Sequence, residues 1–205
     1  MRTKSFLIAL TMAALAMPAF AQAPAGGGAP PPTVNVRGKI VKLDGQNLSV
    51  KTREGQTVSI ALAPNTAVRT LVKKKLSDIK DGDYVASTSM PGKDGKLHAV
   101  EIHYLPAQAP ELQTPYDLAQ GSVMTNAHVN GVAKAKSGTD LTVTYKGQTT
   151  DIIVDKKTAI VGPADGAMSD LKPGKAIFVR ANKGADGSLS ANNATVEKNG
   201  VKPPM

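Results

Sequence analysis

The chain repeats itself, first at an offset of 93 residues and then of 92 residues. Residues 36–50, VRGKIVKLDGQNLSV, align with residues 129–143, VNGVAKAKSGTDLTV. Further on, SDIKDG at 77–82 aligns with SDLKPG at 169–174. Turns and apolar positions are both kept over about 60 positions, and this pattern indicates an internal duplication. Two copies are too few for a solenoid, so we predict two domains in tandem.

Each copy has the pattern of β-structure. In the first copy, apolar and polar residues alternate along 34–43, 47–51 and 57–62, with turn signals between these stretches. A longer connection over 63–83 contains the spacing of one short helical turn, and two further strands lead to Pro106. This order is that of a five-stranded OB-type barrel, so we predict an all-β chain of two tandem OB-like β-barrels.

The predicted organisation has six parts. Residues 22–33 are rich in Gly and Pro, a composition typical of a flexible tether. Because a domain of about 70 residues buries only about 60% of its unfolded surface, we expect the two barrels to pack together, with Tyr116 and Leu118 of the linker at their interface. The parts are a signal peptide (1–21), the tether (22–33), the first barrel (34–105), the linker (106–120), the second barrel (121–198) and a C-terminal tail (199–205).

The N-terminus has the three regions of an export signal. Arg2 and Lys4 are positive, residues 6–17 are apolar, and Ala19 and Ala21 occupy the small-residue positions of a cleavage site. Cleavage there leaves Gln22 as the new N-terminus. The apolar run is shorter than the roughly 20 residues that span a bilayer. We therefore expect a soluble mature protein in the periplasm or outside the cell.

Composition narrows the classes of function. The chain has no Cys, which excludes disulfide scaffolds, thiol catalysis and Cys-based zinc sites. Without the predicted signal peptide, 23 Lys and Arg face 16 Asp and Glu, a net charge of +7. This mild excess, with acidic residues interspersed, is typical of solubility or of loose attraction to anionic envelope material. Aromatic residues are only 3% of the chain, which disfavours single-stranded nucleic acid as a partner because its bases stack on aromatic side chains.

Three segments carry a resemblance to a known family: RGKIVKLDGQNLSVKTREG, KLSDIKDGDYVA and GKLHAVEIHYLP. They resemble a bacterial family of exported OB-like domains of unknown function. The segment TPYDLAQGSVMTNAHV is similar to the one that joins the copies in two-domain members. The resemblance implies a fold and a secreted location, with no established activity. Similar sequences are sometimes labelled metal-transporter permeases, a class that needs several apolar spans of a kind this sequence lacks after its signal.

The histidines define one candidate site. His98 and His103 are five residues apart on one predicted strand, so they face opposite ways, whereas Glu101 and His103 share a face. A divalent-metal site needs this pair and a third ligand, His98 or His128, which the fold would have to bring close. The alternative interpretation is a solvated strand face.

Lys73, Lys74 and Lys75 form the densest positive run. The run lies in the long connection, where it could contact an anionic glycan, lipid head groups or nucleic acid, or simply solubilise a loop. No G-x-S-x-G elbow or phosphate loop is present, and no catalytic residues stand out. We therefore predict a non-enzymatic binding module without a cofactor. Its expected partner is an unknown envelope protein or an anionic envelope polymer. The alternative is a periplasmic metal-binding or metal-delivery protein.

Overall fold

A computed structural model describes residues 31–135 and 138–203, and in it the chain is all-β, as predicted. The predicted signal peptide and residues 22–30 of the tether lie outside the described residues. In the part that is described, no helix is long and apolar enough to cross a membrane. The strands are β1 (Thr33–Asp44), β2 (Asn47–Thr52), β3 (Thr57–Lys73), β4 (Tyr84–Pro91), β5 (Leu97–Tyr104), β6 (Leu112–Pro115), β7 (Val123–Ala135), β8 (Gly138–Tyr145), β9 (Gln148–Val154), β10 (Ala159–Asp165), β11 (Ala176–Lys183) and β12 (Leu189–Val196).

Five strands close into a barrel, which confirms the predicted five-stranded β-barrel. Strands β1, β2 and β3 form an antiparallel meander, β11 pairs with β1, and β12 pairs with both β11 and β3. The β12–β3 pairing is parallel and closes the ring. We call this ring barrel A. Its core combines apolar side chains from both halves of the chain: Val36, Ile40, Leu48, Val50, Ile60, Leu62, Val68, Leu171, Ile177, Val179, Ala181, Ala191, Ala194 and Val196.

Five of the remaining strands form a second ring of pairings, which we call barrel B; β6 pairs with β7 outside this ring. Strands β7, β8 and β9 form its meander, β4 pairs with β7 and β5, and a short parallel contact between β5 and β9 completes it. Strand β10 joins the two barrels because it pairs with β3 on one side and β5 on the other. The core of barrel B is Ile79, Val85, Ala99, Ile102, Ala127, Val129, Leu141, Val143, Ile152, Val154 and Ile160.

The predicted tandem arrangement, with each barrel built from consecutive strands, is not confirmed. The meander of residues 33–73 is closed by β11 and β12, and the meander of β7, β8 and β9 is closed by β4 and β5. Each meander is therefore closed by a hairpin from the other half of the chain. Alternation of apolar residues determines which face of a strand is buried, but it does not determine which copy supplies the neighbouring strand.

The long connection predicted over 63–83 is shorter in the structure. Strand β3 continues to Lys73 because its second half pairs with β10, from Arg69 opposite Asp165 to Lys73 opposite Val161. A single 3₁₀ turn, Leu76–Asp78, follows it. A second 3₁₀ turn, Met168–Asp170, lies 92 residues later and precedes β11. The partner strands come from distant sequence, so the pattern of 63–73 alone could not reveal them.

Candidate functional site

The lysine run lies where β3 ends, beside β10. Lys73 is the last residue of β3, and the backbone N–H of Lys74 donates to the carbonyl of Ile160 at 2.8 Å. The backbone N–H of Lys75 donates to the carboxylate of Asp78 at 2.8 Å, which begins the 3₁₀ turn. The backbone of the run is therefore held by hydrogen bonds, and Lys73 and Lys74 are presented beside the strand that joins the two barrels.

Two adjoining depressions open at this place, with volumes of about 730 and 420 Å³. They share Lys74, Lys156, Thr158 and Ile160 along their common border. We call them together the lysine cleft. Lysines from three separate parts of the chain line it: Lys73, Lys74, Lys156, Lys157 and Lys202.

The lysine cleft is electropositive because few carboxylates oppose its lysines. Asp155 is the acidic residue that lines it, and Asp155 Oδ1 accepts hydrogen bonds from the backbone N–H groups of Lys157 at 2.6 Å and Thr158 at 3.1 Å. Within residues 31–135 and 138–203, none of the five lysines of the cleft forms an ion pair. Charges of one sign in a concave site raise the local concentration of oppositely charged ligands.

Close packing positions one of these lysines. A Cβ built on Gly162 of β10 would lie 3.0 Å from Lys74 Cε. The aliphatic part of the Lys74 side chain therefore packs over Gly162. The floor of the larger depression is apolar, formed by Leu76, Val154 and Ile160. A lysine stem packs on apolar surface and keeps its ammonium group in water. The cleft therefore presents ammonium groups around an apolar floor.

The structure brings together two of the four predicted metal ligands. Glu101 is completely buried, and its Oε1 lies 2.8 Å from His103 Nδ1. Its second oxygen, Oε2, has no hydrogen-bond partner among the described residues. His103 is itself mostly buried, with 13% of its side chain exposed. The solvated face expected as the alternative is therefore absent at this pair, which lies inside the molecule.

The other two histidines point elsewhere. His98 Nε2 lies 3.0 Å from Asp94 Oδ1 in the hairpin between β4 and β5. His128 stacks on Tyr84, with 4.5 Å between ring centroids, and its Nε2 lies 3.5 Å from Glu111 Oε1. The described part of the chain has no group of three or more His, Cys, Asp or Glu that could hold a metal ion. The fold does not assemble the predicted four-residue set.

Sequence reasoning missed a buried arginine. Arg37 lies in β1 of barrel A and is only 7% exposed, and its Nη2 donates to Asp117 Oδ1 of the linker at 2.8 Å. The guanidinium carbon lies 5.2 Å from the centre of the Tyr116 ring and 5.1 Å from that of Phe178, within range of cation–π attraction. Burial raises the pKa of Tyr116, and the nearby guanidinium opposes this increase. The linker therefore covers a charged residue of barrel A. The alternation of polar and apolar residues in β1 does not predict that this residue is buried.

Asp117 makes the stability of this contact depend on pH. Burial alone would raise the pKa of Asp117, but hydrogen bonds from Arg37 and Asn35 lower it below its ordinary value. A lowered carboxyl pKa contributes stability above the unfolded-state pKa of about 4, and this contribution is lost as pH falls through the folded-state value.

We expect Asp117→Asn to lower the free energy of unfolding by about 1 kcal/mol at pH 7, a modest figure because the Asp117 side chain is 53% exposed. The difference from the unmodified protein should shrink as the pH is lowered from 5 towards 2. Urea unfolding curves at several pH values measure this difference in the free energy of unfolding. A difference that stays constant over this range would show that the charge of Asp117 contributes nothing.

Comparison with known proteins identifies no relative of this chain. No family model, curated protein or solved structure matches this chain.

Proposed function

We propose that this protein is a non-enzymatic, exported binding module that holds an anionic component of the cell envelope in its lysine cleft. One observation carries the proposal: five lysines from distant parts of the chain converge on a concave surface whose lining carboxylate is already hydrogen-bonded to the backbone. The export signal read from the N-terminus supports the location.

The arrangement favours binding over chemistry. Lysine ammonium groups act as point charges that attract carboxylates, sulfates and phosphates without demanding one geometry. The polar pair with the most catalytic character, Glu101 and His103, is buried, and neither residue lines the lysine cleft. A metal-binding role has two of its four expected ligands in contact, and we do not put it forward.

The double variant Lys73→Ala/Lys74→Ala tests the proposal. We expect it to bind an anionic glycan such as heparin about tenfold more weakly than the unmodified protein, because each partly solvated ion pair contributes up to about 1 kcal/mol. Isothermal titration calorimetry at low and moderate salt measures the affinity. Binding should weaken as salt rises, since exposed charges are screened within about 10 Å at 0.1 M salt.

The matched control is Lys93→Ala/Lys183→Ala, which removes the same charge from exposed lysines that line neither depression. We expect it to retain the affinity of the unmodified protein within about a factor of two, because neither lysine lines the cleft and exposed charges outside a site are screened by salt. Equal losses in both double variants would contradict a localised site. A protein that binds no polyanion at low salt would overturn the proposed function.

A further inference from the structure

A second basic depression lies beside the lysine cleft. It has a volume of about 350 Å³ and lies along the first halves of β1 and β11 and the end of β2. We call it the arginine cleft. Five basic side chains line it, without a carboxylate among the lining residues: Arg37, Lys39, Lys51, Arg53 and Lys202.

One buried atom of the arginine cleft lacks a partner. Arg37 Nη2 is hydrogen-bonded to Asp117, but Arg37 Nε is buried and has no hydrogen-bond partner among the described residues. Buried N–H groups of guanidinium are nearly always satisfied in folded proteins, so Arg37 keeps unused hydrogen-bonding capacity beside the cleft. Two carboxylates lie close without lining the cleft: Asp117, which Arg37 holds, and Glu54, which follows Arg53.

Lys202 connects the two clefts, because it lines both the arginine cleft and the smaller depression of the lysine cleft. Basic residues therefore lie on both sides of the junction at Lys202, with Lys39 and Lys51 in one cleft and Lys73 and Lys156 in the other. A single small anion would neutralise only one end of such a tract. A linear ligand with regularly spaced charges would neutralise all of it.

We infer that the ligand is a linear anionic polysaccharide that occupies the lysine cleft and the arginine cleft together. This inference rests on the proposed function and extends it to the class and length of the ligand. No aromatic side chain lines either cleft in the described part of the chain, so stacked bases have no platform. Thr139 adds a hydroxyl group to the lining of the lysine cleft, where a sugar hydroxyl finds a hydrogen-bonding partner.

Size-fractionated heparin oligosaccharides, titrated into the full purified chain, test the inference. We expect long fractions to bind at least about tenfold more tightly than short ones, because the second cleft is then filled at a high effective concentration. The salt dependence of binding should also be steeper for long fractions, since more ion pairs release counterions. A single-stranded DNA oligomer of matched charge serves as the competing polymer.

The variant Lys39→Ala/Lys51→Ala should abolish the advantage of long fractions, and the Lys93→Ala/Lys183→Ala control should keep it. Arg37 stays untouched in this design because its removal would also release the linker. Binding without any dependence on length, or equal behaviour of these two variants, would overturn the inference and leave the proposed function intact. Tighter binding of the DNA oligomer would overturn the assignment to a polysaccharide. Failure of every fraction to bind would overturn the proposed function itself.

Discussion

Residues 74–162 alone are expected to fold into a cooperative barrel, whereas residues 34–105 are not expected to fold as a monomer. The first fragment contains β4 to β9 and every residue of the barrel B core. The second corresponds to one copy of the sequence repeat, but it lacks the strands β11 and β12 that close its meander and half of the barrel A core. Strands without partners leave backbone donors and acceptors unpaired, and this loss prevents folding.

Far-ultraviolet circular dichroism during heating measures whether each fragment unfolds cooperatively. Size-exclusion chromatography measures its oligomeric state. Fragment 74–162 should show a sigmoidal transition, at a lower temperature than the full chain because a domain of this size is marginally stable. Fragment 34–105 should show no transition as a monomer. At high concentration it should instead self-associate, because the unpaired edges of its strands can pair between copies. A monomeric 34–105 that melts cooperatively would contradict the strand exchange.

The substitution Gly38→Ala is expected to lower the free energy of unfolding by about 3 kcal/mol, through overpacking and displacement of the backbone. An added Cβ at Gly38 would overlap the backbone carbonyl oxygen of Lys51 on β2. The equivalent glycine of the repeat, Gly131, is a matched control because the nearest atom to its added Cβ is Thr142 Cβ at 3.9 Å. At Gly131 the substitution should be neutral or stabilise by up to about 1 kcal/mol, since alanine restricts the unfolded chain.

Urea unfolding of both variants at one pH measures this contrast. The two glycines align in sequence, so a difference in sign between the variants can come only from their tertiary surroundings. Equal effects at both positions would show that the contact with Lys51 relaxes without cost.

Much of the local structure could be predicted because it depends on neighbouring residues. Leu48 and Val50 alternate with polar residues and are fully buried in β2. Gly45 adopts a φ of 57° in the turn before that strand, a conformation that glycine reaches without strain. Short-range chemistry of this kind determines strands, turns and the buried face, and it was enough to predict an all-β chain with a five-stranded barrel.

The partner of each strand and the composition of the clefts were decided only by the tertiary structure. The two halves of the chain have similar alternating apolar patterns, so periodicity cannot reveal which hairpin closes which meander. Lys73, Lys156 and Lys202 are far apart in the chain and meet because β3 pairs with β10 beside the C-terminal segment. Arg37 lies beside Val36 in β1, and its charge is buried because the distant linker and Phe178 of β11 contact it. Contacts between distant segments depend on packing in three dimensions, and the alternation of residue types along the chain does not predict that packing.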